Sequence, residues 1–326
     1  MSLHPKTLNR RTLLGAALAA PSLAMAQQPF PNRPLRMIVP FAAGGSADAS
    51  ARMLAEPLGV VLGQPVVVEN RPGGGATIGA QVVARAAPDG HTLLYGTPGP
   101  QIVNPYLMRS VPYDPVKDFA PVSGIKRAPN LLAIHPGVPA QNLAELIALA
   151  KARPGTLTFA SSGVGSSSHL AGEMLKFMAQ IDITHVPYRG TSAALTDLMG
   201  GTVTMALDTL SILLPQARDG RLRALGVTTP ERSAQAPDLP ALAETLPGFD
   251  AAPFNYIATT GGTPAPVVAK LSEAVQAILA RPDYRARMEA LGEEPTPSTP
   301  EALAETIRAE SARWKQVIEA AGIRVE

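Results

Sequence analysis

The stretch that decides the fold is LRMIVPFAAGGSADASARMLAEPLGVVL, residues 35–62. It opens with a short apolar run, Leu35–Pro40, which is typical of a buried β-strand. Two adjacent glycines follow, and apolar residues then recur at helical spacing: Ala51, Leu54, Leu58 and Val61. This spacing predicts a helix over Ala47–Leu62 with one buried face, and Pro57 inside it is expected to kink that helix or split it in two.

The same alternation of strand and helix continues along the chain. Seven further short runs are predicted to be strands: Pro65–Glu69, Thr92–Tyr95, Asn130–Ile134, Leu157–Ala160, Thr184–Pro187, Thr202–Leu207 and Leu222–Thr228. Longer segments between them have helical spacing: Ile78–Ala86, Leu143–Ala152, His169–Ala179, Ser192–Met199 and Leu210–Ala217. Such alternation predicts βαβ units, so we expect an α/β fold built on parallel sheets with helices on both faces.

Two irregular, proline-rich stretches interrupt this alternation, Tyr106–Asn130 and Pro230–Pro253. Stretches of this kind are where a chain passes between domains. After the second one the sequence is mostly helical: Ala265–Leu279, Pro282–Leu291 and Pro300–Ala321. A helical block after a complete series of strands and helices indicates that the chain returns to cover the domain in which it started.

We therefore expect two domains, the first of which is made of two chain segments. These segments are predicted to be residues 27–126 and 251–326, and the second domain, residues 127–250, is inserted between them. The predicted hinge consists of the two connections, Ser123–Asn130 and Phe249–Asn255, because domain closure bends the chain at such crossings.

The N-terminus has the features of a secretory leader. Arg10 and Arg11 precede a short apolar run, Thr12–Leu23, and the small-x-small motif Ala24-Met25-Ala26 follows. This arrangement predicts a signal peptide over residues 1–26 that is cleaved on export. The apolar run is shorter than the ~20 residues that a membrane-spanning helix needs. The paired arginines leave the Sec and twin-arginine routes both open.

The composition excludes several functions. The 326 residues contain no cysteine, so disulfides, thiol nucleophiles and thiolate metal sites are excluded. Lys and Arg number 28 against 26 Asp and Glu, and no basic stripe is present that could follow a phosphate backbone. The five histidines show no metal-ligand spacing. We expect no nucleic-acid partner, no metal and no cofactor, and we expect the protein to be a monomer.

Two glycine-rich loops are the candidate ligand-binding elements, and each links a predicted strand to a predicted helix. Their residues are Phe41, Ala42, Ala43, Gly44, Gly45, Ser46 and Asp48 in the first loop, and Ser161, Ser162, Gly163, Gly165, Ser166 and His169 in the second. Glycine lets backbone N–H groups approach a ligand, and the first turn of a helix carries unpaired N–H donors. One such loop in each predicted domain, at the carboxyl ends of strands, indicates a carboxylate or phosphate site.

Several of these residues also have structural explanations, and three further residues are candidates. Asp48 is placed to cap its helix or to contact a ligand ammonium group. Asp208 ends a strand before a helix, where capping competes with ligand contact, and His169 can be a packed residue or a ligand donor. Thr97 follows a strand and is expected to line the cleft from the first domain. Tyr188 is expected to be partly core, with its hydroxyl free to face the cleft.

No catalytic constellation is found in the sequence. The second loop has Gly163 and Gly165 but Ser168 where a GxGxxG motif needs its third glycine, and neither loop has the lysine of a P-loop. The segment from Gly165 to Ser168 lacks the closing glycine of a GxSxG nucleophile elbow. The paired acids Glu293-Glu294 lie in a proline-rich turn. The residues therefore supply neither a nucleophile nor a base.

The chain resembles the Bug-type extracytoplasmic solute receptors of tripartite tricarboxylate transport systems. The segments that carry the resemblance are Ile38–Phe41 with Gly44–Asp48, Val66–Gly73, Pro88–Leu93, Ser161–His169, His185–Gly190 and Gly262–Pro264. They span nearly the whole chain in the order of the family, so the match is more specific than either glycine loop alone. Relatives commonly have a tryptophan near Phe254 and a glycine near Tyr256, which predicts a reshaped wall of the cleft.

The resemblance implies a periplasmic binding protein-like (Venus flytrap) fold that closes on a small carboxylate, such as a dicarboxylate, an amino acid or an aromatic acid. It implies ligand contacts from backbone and hydroxyl groups of Phe41, Ala42, Gly44, Gly45, Asp48, Ser161, Gly163, Gly165, Ser166 and His169. The implied protein is a periplasmic receptor, not an enzyme, that hands its ligand to membrane transporter subunits. Two alternatives stay open: a sensor that feeds a histidine kinase, and a hydrolase or transferase of small acids.

Overall fold

The computed structural model describes residues 30–41, 43–44, 46–163, 166–188 and 191–322. The strands in these residues are β1 (Leu35–Val39), β2 (Val66–Asn70), β3 (Thr92–Gly96), β4 (Phe119–Arg127), β5 (Asn130–Ile134), β6 (Thr158–Ser161), β7 (Thr184–Pro187), β8 (Met205–Thr209), β9 (Arg223–Val227), β10 (Phe254–Thr260) and β11 (Glu294–Pro295). The predicted signal peptide lies outside the described residues.

The α-helices of the described part alternate with these strands and then form a block at the C-terminus. They are α1 (Ser46–Leu62), α2 (Thr77–Ala84), α3 (Asn104–Leu107), α4 (Leu143–Ala152), α5 (Ser167–Ala179), α6 (Thr191–Met199), α7 (Leu210–Arg218), α8 (Ala265–Leu279), α9 (Pro282–Ala290) and α10 (Pro300–Ala321). Within the described ranges, no helix is long and apolar enough to cross a membrane.

Two sheets divide the strands between them, and the result is a two-domain α/β fold. The first sheet has the order β11-β4-β10-β3-β1-β2, and the second has the order β7-β6-β8-β5-β9. The chain therefore crosses from one sheet to the other twice, over residues 128–129 and 228–253. The domain boundaries predicted at 126/127 and 250/251 lie at or beside these crossings and stay predictions.

The expectation of parallel sheets holds for part of each sheet only, because both sheets are mixed. β2 and β3 pair with β1 in parallel, and β7 and β8 pair with β6 in parallel. β10 is antiparallel to β3 and β4, and β5 is antiparallel to β8 and β9. Parallel neighbours in a sheet are usually joined by a helix that packs on that sheet. β5 and β10 each enter their sheet directly after a crossing, so neither strand follows such a helix.

Two long antiparallel strands of the first sheet, β4 and β10, were not expected from the sequence. Their pairing contains two register shifts, one between Asn255 and Tyr256 and one between Ile257 and Ala258. At the second shift Ala258 lies opposite Pro121. A proline cannot donate to a ladder hydrogen bond and occurs in sheets mainly at edges and bulges. The proline and the bulges disturb the period-2 pattern, which is why this segment looked irregular.

The core of the first domain follows from the alternation of side chains along β1. Leu35, Met37 and Val39 pack with α1 and α8 on one face of the sheet, while Ile38 packs with α2 on the other. Helix α1 is continuous through Pro57, so the helix is not split in two, and the alternative of a kink stays a prediction. The buried face of α1 contains Ala51, Leu54, Ala55, Leu58 and Leu62, whereas the predicted member Val61 is 50% exposed.

α8 and α10, two of the C-terminal helices, contact the first sheet, and α10 also contacts a helix of the second domain. α8 packs its apolar face, including Leu271 and Val275, on the first sheet. α10 contacts both β4 and α5, and its buried Trp314 belongs to the same core cluster as Phe159 and Leu170 of the second domain. α10 therefore packs against both domains.

Candidate ligand-binding site

A cavity of about 520 Å³ is lined by residues of both domains. Pockets for small ligands commonly have volumes of about 300–1,000 Å³. The lining residues are Phe41, Gly74, Gly75, Ala76, Thr97, Pro98, Gly99, Val103, Asn104, Leu107, Met108, Ser166, Ser167, Leu170 and Pro253. They follow β1, β2 and β3 in the first domain and begin α5 in the second, so the cavity lies beyond the carboxyl ends of strands.

The predicted site residues divide into three groups. Phe41, Thr97 and Ser166 line the cavity. Ala42, Gly45 and Gly165 lie outside the described residues, and the side chain of Ser46 does as well. The remaining candidates are described but are not among the lining residues: Ala43, Gly44, Asp48, Ser161, Ser162, Gly163, His169, Tyr188 and Asp208.

Asp48 organises the first glycine loop. Its carboxylate accepts hydrogen bonds from the Gly44 amide at 2.9 Å and from Asn70 Nδ2 at 3.0 Å, and it pairs with Arg52 Nε at 3.0 Å. The Arg52 hydrogen bond and the Gly44 amide lower the pKa of Asp48 from 3.8 to about 2. Both oxygens of the buried Asp48 carboxylate are therefore engaged inside the protein at the start of α1, which favours the structural explanation of Asp48 over ligand contact.

The loop also depends on Gly44 and on Asn70. Gly44 has a φ of 82°, a left-handed conformation that glycine adopts at little cost. Asn70, the last residue of β2, donates from Nδ2 to the carbonyl of Phe41 at 3.1 Å. Phe41 is 37% exposed and lines the cavity. The end of β2 thus positions the loop that follows β1.

The second glycine loop is closed by its own serines. Ser166 caps α5, because its Oγ accepts from the His169 amide at 3.3 Å and donates to the Gly163 carbonyl at 2.6 Å. The buried Ser168 Oγ accepts from the Ser162 amide at 2.9 Å. These bonds direct the start of α5, with Ser166 and Ser167, toward the cavity.

The buried His169 and the half-buried His185 support this loop from behind. The rings of His169 and His185 stack at a centroid distance of 3.9 Å, and His185 Nε2 lies 2.6 Å from Ser161 Oγ. Burial, together with His185 and Lys176, lowers the pKa of His169 to about 4, and burial and Lys176 lower the pKa of His185 to about 4. Both rings are therefore neutral near pH 7, so the 3.8 Å approach of His169 to Glu173 is not an ion pair there.

Tyr188 and Asp208 have internal partners. The Tyr188 hydroxyl donates to Asp197 Oδ2 at 2.7 Å, so the expectation that it is free to face the cleft is wrong. Asp208 accepts from Thr191 Oγ1 at 3.1 Å and from the Thr209 amide at 2.7 Å. The structural explanation of Asp208 is therefore favoured, since its oxygens connect the starts of α6 and α7.

A third glycine loop lines the cavity and was missed as a site. Gly73, Gly74, Gly75 and Ala76 have φ values of 121°, 56°, 60° and 75°. A left-handed conformation costs a non-glycine residue such as Ala76 roughly 1–2 kcal/mol. Asn104 Nδ2 donates to the Gly75 carbonyl at 2.7 Å and fixes the loop. Three consecutive glycines, two residues after the end of a strand, were the signal that could have found it.

The wall around Thr97 depends on a close contact between two strands. A Cβ on Gly96 would lie 2.2 Å from the Tyr256 ring, so only glycine fits there. The single proton of the buried Tyr256 hydroxyl is shared between two acceptors, Gln101 Oε1 at 2.6 Å and the Thr97 carbonyl at 3.1 Å. Tyr256, predicted to reshape the cleft, thus contacts the backbone of a lining residue.

The described lining of the cavity offers only neutral groups to a ligand. None of the described lining residues is Lys, Arg, Asp, Glu or His. The described residues also contain no cluster of His, Asp or Glu that could bind a metal ion. The first turn of α5 has backbone N–H groups without helical partners, and the helix dipole favours a negative charge there.

Two α/β domains around a cavity lined by both define the chain as a protein of the periplasmic binding protein class. Its residues 50–323 match the family described as the tripartite tricarboxylate transporter family receptor, and the chain belongs to this family. Proteins of this family and their structural neighbours are solute-binding proteins, so the chain is a receptor and not an enzyme.

Relatives match over nearly the full length of the chain. A UPF0065 protein of Pseudomonas sp. strain P51 is 37% identical over 314 residues, which are 95% of this chain and 93% of the relative. BugT of Bordetella pertussis is 36% identical over 313 residues, which are 95% of each chain.

Solved structures of similar proteins have the same fold, and two of them contain a carboxylate. An R. palustris protein solved with adipate is 37% identical, with a TM-score of 0.73 over 90% of this chain and 99% of that chain. MatC of Rhodopseudomonas palustris, solved with bound malate, is 36% identical, with a TM-score of 0.70 over 89% of this chain and 100% of that chain. The periplasmic binding protein BugD is 36% identical, with a TM-score of 0.70 over 91% and 100%.

Proposed function

We propose that the protein captures a small carboxylate in the cavity between its domains and delivers it to the membrane subunits of a tripartite tricarboxylate-type transporter. The observation that carries this proposal is that one cavity is lined by both domains, with Phe41 and Thr97 on one side and the start of α5 on the other. The carboxylates bound by the R. palustris relatives support the same class of ligand.

In this proposal the carboxylate is bound by N–H and O–H donors and not by an ion pair. Hydrogen bonds to a charged group contribute about 1.5–3 kcal/mol each, while micromolar affinity requires about 8 kcal/mol. A few bonds from the first turn of α5 and from Ser167, together with apolar contact, are therefore sufficient. Arg52, one of the two cations nearest the loops in sequence, already pairs with Asp48. The other, Arg189, lies outside the described residues.

The proposal places the mature protein in the periplasm, where a receptor of this class meets its ligand. It rests on the leader-like sequence of residues 1–26, with its two arginines, short apolar run and Ala24-Met25-Ala26 motif. Export and cleavage are tested together by comparing the N-terminal residue of the protein recovered from a periplasmic extract with that of the full chain. Recovery of the uncleaved chain from the cytoplasm would contradict this part of the proposal.

The ligand class is tested by a thermal-shift screen of the mature protein, followed by calorimetry. The panel contains mono-, di- and tricarboxylates, amino acids and aromatic acids, and ligand that copurifies is first removed by unfolding and refolding. We expect at least one acid to stabilise the protein by about 2.7 kcal/mol at a hundredfold excess over Kd. That acid should be recovered unchanged, and its uptake should stop in cells that lack the gene. The absence of any shift or heat across the panel would refute the proposal.

A further inference from the structure

The cavity wall beside α5 is apolar. Leu170 lies one helical turn after Ser166 and Ser167, so it is on the same face of the helix as the groups that begin α5. Val103 and Leu107, which are buried, and the half-buried Met108 line the same cavity from the first domain. A ligand anchored at the start of α5 therefore meets hydrocarbon side chains next to its charged group.

Two of the four polar side chains among the described lining residues, Asn104 and Ser166, already have protein partners, and the other two are Thr97 and Ser167. Asn104 donates to the Gly75 carbonyl at 2.7 Å, and Ser166 donates to the Gly163 carbonyl at 2.6 Å. Compact hydroxy acids need a polar partner for each of their oxygens, since an unpaired buried polar group costs about 1–3 kcal/mol. The described part of the cavity offers few such partners away from the start of α5.

The apolar surface continues beyond the main cavity. A smaller cavity of about 30 Å³ is lined by Val103 and Leu170 again, and by Phe254 and Trp314. The acids at this end, Asp250 and Glu310, have arginine partners of their own, Arg127 and Arg313. A second carboxylate on the ligand would meet acidic side chains here and no unpaired cation among the lining residues.

We propose, on the basis of the receptor function above, that the ligand is an amphipathic monocarboxylate: one carboxylate at the start of α5, and a hydrocarbon body of about five or more carbons against Val103, Leu107, Met108 and Leu170. Met108 is the specificity-determining residue that is most open to substitution, because it is half-buried and unbranched. The hydrocarbon body is a straight chain or an aromatic ring, and these two share the same apolar contact.

The first test is calorimetry of the mature protein with straight-chain acids from butyrate to octanoate, and with benzoate, phenylacetate, malate, succinate and adipate. Each added methylene that the wall covers should tighten binding about fourfold, which corresponds to about 0.8 kcal/mol. If octanoate binds more tightly than phenylacetate, the hydrocarbon body is a straight chain, and if phenylacetate binds more tightly, it is an aromatic ring. Malate or succinate binding more tightly than hexanoate, or a flat series, would overturn this inference and leave the receptor function intact. If none of the acids binds, both this inference and the proposed receptor function are overturned.

The second test is the variant Met108→Gln, which keeps the length of the side chain and adds an amide to the wall. We expect octanoate, or phenylacetate, to lose at least fivefold more affinity than butyrate loses. The matched control is Met178→Gln, a half-buried methionine of α5 that does not line the cavity. Phe41→Gln, at an exposed lining residue, repeats the test where folding is not at risk. Equal effects on long and short acids in both lining variants would overturn the assignment of this wall.

Discussion

Arg127 Nη1 lies 2.6 Å from both carboxylate oxygens of Asp250, and this ion pair joins the two chain segments that connect the sheets. Arg127 is the last residue of β4, just before the first crossing, and Asp250 lies in the second crossing. Arg313 of α10 approaches the same carboxylate at 3.8 Å. The predicted hinge is therefore crossed by a charge cluster that includes α10, the helix that contacts both domains.

Asp250→Ala should lower the free energy of unfolding by about 3 kcal/mol, because it leaves Arg127 partly buried without its partner. The matched control is Asp219→Ala, which breaks a 2.8 Å pair with Arg221 whose side chains are 60% and 55% exposed. Exposed pairs contribute at most about 1 kcal/mol. Urea unfolding followed by circular dichroism measures both variants. Equal losses in the two would show that the Arg127 pair contributes no more than a surface pair.

Ser166→Asp should weaken binding of the identified carboxylate at least tenfold, about 1.4 kcal/mol, because it places a negative charge beside the ligand. Ser166→Asn is the control, since Asn and Asp cap a helix about equally well and only Asp is charged. Arg52→Ala should cost much less, as Arg52 acts on Asp48 and does not line the cavity. If calorimetry finds that Ser166→Asp still binds the carboxylate while Arg189→Ala does not, binding at the start of α5 is wrong and an arginine holds the carboxylate instead.

Stability should fall between pH 6.5 and about 4 because of the stacked histidines. Burial lowers the pKa of His169 and of His185 from 6.5 to about 4, so across this range the unfolded chain binds protons that the folded chain does not. His185→Gln should therefore reduce the loss of stability as the pH falls. Burial raises the pKa of Glu173, which has the opposite sign, so Glu173→Gln should make the loss steeper. Unfolding midpoints are measured from pH 4 to 7 for the wild-type protein and the two variants. If the midpoint falls equally with pH in all three, this account is wrong.

Gly96→Ala should destabilise the protein by about 1–3 kcal/mol, because the added methyl group would lie 2.2 Å from the Tyr256 ring. It should also weaken ligand binding, since Tyr256 contacts the backbone of the lining residue Thr97. Gly200→Ala is the control: it is not left-handed, and its Cβ would lie no nearer than 3.4 Å to another atom. Differential scanning calorimetry compares the three proteins. Similar melting temperatures for both variants would show that the Tyr256 ring moves aside at little cost.

Most of the secondary structure was predictable because its signals are local. The strands Asn130–Ile134 and Thr184–Pro187 and the helices Leu143–Ala152, Ala265–Leu279 and Pro300–Ala321 have the bounds that apolar spacing and flanking turn residues predicted. The family could be named from six short motifs, and the family match confirms it. The sequence also located the start of α5 at the cavity, because a strand followed by a glycine turn and a helix is itself a local pattern.

The remaining features were decided by contacts between residues that are distant in the chain. β4 pairs with β10 through two bulges, and a local period cannot show such pairing. The lining by Gly74–Ala76 and by Asn104, Leu107 and Met108 depends on how α3 packs beside the third glycine loop. The sequence by itself determined the strands, the helices and the family, because these follow from local spacing and motifs. Only the tertiary structure decided which polar groups face the cavity, because packing gives Asp48, Tyr188 and Asp208 hydrogen-bond partners within the protein and stacks His169 on His185.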